Sequence, residues 1–383
     1  MFKILFFIVL SLSAVLAVPS NKRNPTIAPL IVSRDAEIVP DQYIVVLKKD
    51  VPKDRITTFS EDIPGMTHTY KMDGFHGFAG RFSEQMLDII RQNNDVAFVE
   101  KDQQVQTSTV VVQPGAPWGL ARISHRAHLN LSTFGQFAYD PISGENTTVY
   151  VLDTGINIKH TDFSGRARWG VTIPADEPNT DENGHGTHVA GTIAGLRFGV
   201  AKRTKVVAVK VFPASGTGPN SDVIKGIEWA VNDHKKTVAK AKRRGKVFKG
   251  SVINMSLGGG KSTALEAATN AVRAVKAIAV GSTTPEDSRS WFSNFGCCVA
   301  IWAPGSCIES DWIGSKTATM TLSGTSMATA HVSGLAAYFL TLSPTLLTPE
   351  TLRTKLLTVA TRNVLTDLKT CSPNRLAYNG IGF

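Results

Sequence analysis

At 383 residues, with 42% apolar residues and 32 glycines, the chain is long enough for more than one folded unit and is excluded from the disordered and fibrous classes. Its formal net charge of +10 has a local source, because residues 234–249 hold eight Lys or Arg and no acid. No nucleic-acid motif accompanies that run, so it reads as a solvated helix end and loop, and nucleic acid is not expected as a partner.

Residues 1–17 carry one early lysine, an apolar run over 4–12 and the close Val15-Leu16-Ala17. That is the grammar of a secretory signal peptide, too short to span a membrane. No later apolar run reaches the roughly 20 residues a bilayer crossing needs. A soluble mature protein in the secretory pathway is therefore expected. Residues 18–42, rich in Pro, Asn and charge, read as a flexible leader.

A compact pattern follows over 43–106. It holds a β-branched strand at 43–49, a short helix at 52–62, a strand at 75–82, a helix at 83–93 with Ser83 as N-cap, and a strand at 96–101. Such alternation predicts a small α+β domain of ferredoxin-like type. Residues 107–117, with Thr107-Ser-Thr and Pro114-Gly-Ala-Pro117, form an extended linker of the kind where processing occurs, and the cut is expected near 105–110.

From residue 118 onward, buried strands at 149–152, 206–211 and 251–255 alternate with helices at 188–196 and 222–232. The pattern predicts an α/β unit with a parallel sheet covered by helices on both faces. Ligands of such sheets bind beyond the carboxyl ends of the strands, and Asp153 directly follows one. Two sequons, at Asn130 and Asn146, lie in polar surroundings and are expected glycan sites. Asn254 also fits the pattern but ends a buried strand and is set aside. The four cysteines, Cys297, Cys298, Cys307 and Cys371, are too few for a disulfide scaffold and leave the pairing open.

Three glycine-flanked motifs carry the chemistry. In Leu322-Ser-Gly-Thr-Ser326-Met-Ala-Thr-Ala-His-Val, a tight turn leads into an apolar helix whose first turn bears a hydroxyl. Alone, such a serine also fits the N-cap of a core helix. The stretches Tyr150-Val-Leu-Asp153-Thr-Gly and Gly184-His185-Gly-Thr-His188 add an acid and an imidazole, and the order acid, histidine, serine is one of those found in Ser-His-Asp triads. His188 lacks the glutamate and third ligand of a zinc site and reads as a buried histidine with a backbone partner.

At these residues the chain resembles a subtilisin-family serine protease, nearest the proteinase K and fungal vacuolar (cerevisin-like) branch. The stretches APWGLARISHR, VYVLDTGI, GHGTHVAGTIAG, INMSLGGG, WFSNFG and LSGTSMATAHVSGLAAY carry the likeness across most of 116–383. The resemblance implies a three-layer subtilisin-like fold over 118–383, behind a propeptide that chaperones folding and blocks the cleft. It implies Ser326 as nucleophile, His185 as general base and Asp153 as its orienting acid. The backbone N–H of Ser326 would be one oxyanion donor. Ser256, Leu257 and Gly258 would form one edge for substrate backbone, and Gly216 and Gly218 the opposite edge. Polypeptides are the implied substrates and the propeptide an intramolecular inhibitor. A monomer without cofactor or metal is expected, either extracellular or vacuolar.

The chain also departs from that family. Between 272 and 278 roughly two dozen family residues have no counterpart, including a strand and the Gly-Asn pair that supplies the side-chain oxyanion donor. Neither Asn270 nor Asn294 replaces it. Ala300 stands where a calcium-binding aspartate is expected, Cys298 matches a cysteine whose partner falls in the absent stretch, Glu309 replaces an apolar residue and Ala330 a proline. The alternative reading is therefore a catalytically impaired relative with a binding or inhibitory role, or none. A third is that the written sequence lacks a coding segment.

Overall fold

The computed structural model describes all residues except 1–26, 33–37, 53–54, 57–58, 60–62, 104–109, 272–276 and 382–383. The expected signal peptide, most of the helix expected at 52–62 and most of the range where processing is expected lie outside the described residues. So does most of the stretch expected to be shortened. The chain divides into two compact units, Met1–Val105 and Gln106–Phe383.

The first unit is a five-stranded sheet in the order β1-β5-β2-β4-β3, with strands Leu30–Ile31 (β1), Ile38–Leu47 (β2), Met66–Met72 (β3), Phe75–Arg81 (β4) and Val96–Gln103 (β5). Helix α1 (Glu84–Gln92) opens on Ser83, whose hydroxyl accepts from Met86 N–H, as the sequence pattern predicts. Its buried Leu87 and Ile90 pack on Val45, Phe78 and Val99 of the sheet. Two features depart from expectation. Strand β3 is almost wholly exposed, so it shows no apolar alternation; its pairing with β4 through the turn at Gly74 (φ +80°) holds it. The segment expected to be a flexible leader supplies β1, parallel to β5, and the start of β2. Pro40 and a left-handed Asp41 interrupt the register of β2, which hides it from a period-two reading.

The second unit opens with the antiparallel pair β6 (Val111–Pro114) and β7 (Gln136–Tyr139), flanking helix α2 (Trp118–Arg122). Its centre is a parallel sheet in the order β11-β8-β10-β9, made of Thr147–Asp153 (β8), Ala167–Thr172 (β9), Lys205–Lys210 (β10) and Gly250–Asn254 (β11). All seven residues of β8 are buried, so both faces must be covered. Alternation sorts them. Val149 and Val151 join Val206 and Ala208 against helices α3 (His185–Ala194) and α6 (Thr325–Leu342). Tyr150 and Leu152 join Val207 and Val209 against Val223, Ile227 and Ala230 of α4 (Asn220–Arg243).

Helix α5 (Thr263–Ala271) follows, and then a second four-stranded sheet in the order β12-β13-β17-β16. It contains Val280–Thr283 (β12), Ile301–Pro304 (β13), Thr361–Arg362 (β16) and Arg375–Leu376 (β17). The hairpin β14 (Ile308–Asp311) and β15 (Thr319–Leu322) precedes α6, and helix α7 (Pro349–Val359) follows it. The fold is thus mixed α/β with mainly parallel strands, divided between two sheets. Cys297 is bonded to Cys371, and Cys298 and Cys307 are exposed thiols.

Candidate active site

Strand β8 delivers Asp153 to its carboxyl end, where the side chain is 1% exposed. Its Oδ1 accepts from Thr154 N–H at 2.8 Å and from His185 Nδ1 at 2.7 Å. A carboxylate can only accept here, so Nδ1 carries the proton and Nε2 is left as the basic nitrogen. Helix α3 starts on His185 itself and approaches β8 closely because residue 186 is glycine. A Cβ at 186 would lie 2.1 Å from Gly155 O.

The first turn of α3 has no side-chain cap at Gly184. The buried Asp181 takes that role from further back. Its Oδ1 accepts from Gly184 N–H at 2.9 Å and from Thr154 Oγ1 at 2.9 Å, and its Oδ2 from Thr187 N–H at 3.0 Å. Thr154 Oγ1 in turn accepts from Gly186 N–H at 3.0 Å. The loop holding the acid and the helix holding the imidazole are therefore tied by one carboxylate. Burial lowers the His185 pKa, but the charge of Asp153, its hydrogen bond and the more distant charge of Asp181 outweigh this and leave it raised. His188 points the other way. Its Nε2–H donates to Ile308 O and Met320 O, each at 3.0 Å, and burial pushes its pKa down to about 4.

Ser326 is half-buried at the second position of α6. Its hydroxyl donates to Ser256 O at 3.4 Å, while Ser256 Oγ donates to Ser326 O at 3.1 Å. No hydrogen bond joins Ser326 to His185 among the described residues. Such contacts are often long before substrate binds. One cleft of about 510 Å³ brings together Asp153, His185, Gly216 and Gly218 on one side with Ser256, Leu257 and Gly258 on the other. Ser326 adjoins it through Ser256. Asn270 and Asn294 are exposed and do not line it. Asn254 is fully buried, spanning Ser256 Oγ at 2.9 Å and Ser333 Oγ at 2.8 Å. Asn130 and Asn146 are exposed. Glu309 is part-exposed and sits 4.0 Å from Arg197, and Ala330 is buried inside α6 packing. Among the described residues no cluster of three or more acidic, histidine or cysteine side chains is arranged to hold a metal ion.

Residues 144–377 match the Subtilase family, and residues 42–108 match Peptidase inhibitor I9. The chain belongs to the subtilase family. Subtilisin-like protease 8 of Trichophyton verrucosum is 42% identical, across 98% of this subtilase and 88% of that protein. Alkaline protease 2 of Aspergillus fumigatus is 43% identical, across 93% and 84% respectively. A solved cold adapted subtilisin-like serine proteinase superposes with a TM-score of 0.59 at 39% identity, covering 69% of this subtilase and 98% of that structure. The Trichophyton alignment runs to 433 positions but holds only about 375 residues of this subtilase, so about sixty positions of that relative have no counterpart here.

Sequence reasoning missed Asp181 and Thr154. The available signal was an acid four residues ahead of an uncapped Gly-His helix start, which a search for adjacent N-caps passes over.

Proposed function

We propose that this subtilase is a serine endopeptidase made as a self-processed zymogen. The observation that carries the reading is the 2.7 Å contact from Asp153 to His185 Nδ1, which leaves Nε2 basic beside a cleft that Ser326 adjoins. Ser326 Oγ attacks the scissile carbonyl carbon while its proton passes to His185 Nε2. Collapse of the tetrahedral adduct breaks the C–N bond, and His185 gives the proton to the leaving amine. Water then attacks the acyl-enzyme, with His185 again taking and returning a proton. Asp153 stabilises the imidazolium without accepting its proton.

The backbone N–H of Ser326 lies in the unsatisfied first turn of α6, where developing negative charge is favoured. No second, side-chain donor is assigned. One missing donor costs about two to three orders of magnitude in turnover, a figure carried over from subtilisin itself. Main-chain pairing of substrate along Ser256, Leu257 and Gly258 and along Gly216 and Gly218 favours broad specificity. The inhibitor-type domain would act on its own cleft until the chain is cut near 105–110. The signal at 1–17 would send the protein into the secretory pathway, to the vacuole or the medium, with glycans at Asn130 and Asn146 and as a monomer. No helix among the described residues is long and apolar enough to cross a membrane.

A fluorophosphonate probe tests the nucleophile. Labelling at Ser326 that disappears in His185→Ala is expected. An unlabelled wild type, or equal labelling of both proteins, contradicts the reading.

A further inference from the structure

Three polar side chains are buried along α6: His331, Ser333 and Thr341. His331 and Thr341 each bond to a carbonyl one turn back on their own helix, at Met327 and Ala337. Ser333 makes its bond outside the helix. Its hydroxyl donates to Oδ1 of Asn254, the fully buried last residue of β11, at 2.8 Å. The amide N–H of Asn254 donates to Ser256 Oγ at 2.9 Å, and Ser256 Oγ–H donates onward to Ser326 O at 3.1 Å. A line of hydrogen bonds thus runs from Ser333 through Asn254 and Ser256 to the backbone of Ser326.

The geometry of the helix gives that line a purpose. Seven residues are close to two helical turns, so Ser326 and Ser333 face the same side, about 10 Å apart along the axis. Ser333 lies in the buried middle of α6. Ser326 stands on its first turn, where backbone N–H groups lack partners within the helix and Gly324 offers no side-chain cap. Residues 254 and 256 therefore meet α6 at two points, one in its fixed interior and one at its loosest end. Ser326 Oγ–H closes the near end by donating to Ser256 O at 3.4 Å.

A satisfied buried network contributes little net stability over an apolar replacement of the same shape. Its distinct effect is to hold one geometry among several that would pack equally well. Geometry matters most at a nucleophile, where a misplacement of about 1 Å can cost about a hundredfold in rate. The same contacts take up the amide of Asn254 inside the fold, although Asn254-Met-Ser256 has the pattern of a glycan acceptor.

We propose that Asn254 is a positioning residue for Ser326. Through Ser256 it fixes the first turn of α6 against the end of β11, and with it the place from which the Ser326 hydroxyl reaches His185. The role rests on the reading of Ser326 as the nucleophile. Asn254 touches neither substrate nor the reacting atoms, and Ser256 carries its effect while the backbone at 256–258 remains free to pair with substrate.

The test measures kcat, KM and Tm of the full chain on a peptide p-nitroanilide. In the paired variant Asn254→Val with Ser333→Ala, both hydrogen-bonding partners become apolar. The expected result is a Tm within about 3 °C of wild type, with kcat about tenfold lower and KM unchanged. Ser256→Ala cuts the same line beside Ser326 and reads the role even where the buried pair does not fold. It is expected to lower kcat by a similar factor, and all three substitutions together to lower it no further, because each breaks one connection. A paired variant with the kcat of wild type, a loss carried by KM, or losses that multiply in the triple variant would overturn the role and leave Ser326 as nucleophile. A wild type without turnover would overturn both.

Discussion

Two carboxylates bear on His185, and they act on it differently. Asp153 touches the ring and fixes which nitrogen is protonated, while Asp181 reaches it only by charge and holds the backbone around it. Both raise the pKa of His185, so the imidazole stays protonated to a pH above the ordinary histidine range near 6.5. Base catalysis needs the neutral ring. The acid limb of kcat/KM should therefore lie above that of a free imidazole. Asp181→Asn removes one of the charges that raise the pKa and sets an amide N–H against backbone donors. The expected outcome is an acid limb moved to lower pH and a plateau kcat/KM lower by about tenfold or more. A pH–rate profile with the limb unmoved would leave Asp181 only a structural role.

Helices α3 and α6 present the proposed reactive groups, His185 and Ser326, at their first turns, and each buries another histidine further along, His188 in α3 and His331 in α6. His331 Nδ1–H donates to Met327 O at 2.8 Å, and burial holds its pKa, like that of His188, down to about 4. An unfolded chain binds these protons from about pH 6.5 downward while the folded chain does not. Their contribution is complete above that range and lost as pH falls toward 4, on the order of 3 kcal/mol for each. Asp311 works oppositely. Burial and the nearby Asp162 raise its pKa to about 8, so its proton favours the folded state at low pH and that gain is lost as pH rises. His331→Gln should flatten the fall in urea midpoint between pH 6.5 and 4; an unchanged slope would exclude the histidine. Element boundaries were only partly legible. Helix α3 begins three residues before the expected 188, because Asp181 caps it from outside the motif. Helix α4 runs on to Arg243, past the end of its apolar stripe near Val231, because the Lys- and Ala-rich stretch favours helix without needing burial.

At the scale of the molecule, the order of the parts was plain in the sequence and the pairing of distant parts was not. Asp153, His185 and the edges at Ser256 and Gly216 are announced by local glycine-rich motifs. The division of the strands between two sheets is not, because it depends on which edges find partners across more than a hundred residues. The bond from Cys297 to Cys371 is a similar long-range choice, made while Cys298 stays free. It closes a loop of 74 residues, and the chain-entropy estimate for such a loop is about 4 kcal/mol. Cys371→Ser should lower Tm by about 10 °C in a thermal melt; no shift would mean that neither end of the loop gains from the link. The central claim is that the chain cuts itself with its own serine. Purified wild type and Ser326→Ala, incubated alone and followed by intact mass, decide it. The account predicts a new N-terminus between residues 105 and 110 in the wild type and an uncut chain in the variant. Cleavage of the variant at the wild-type rate would contradict it.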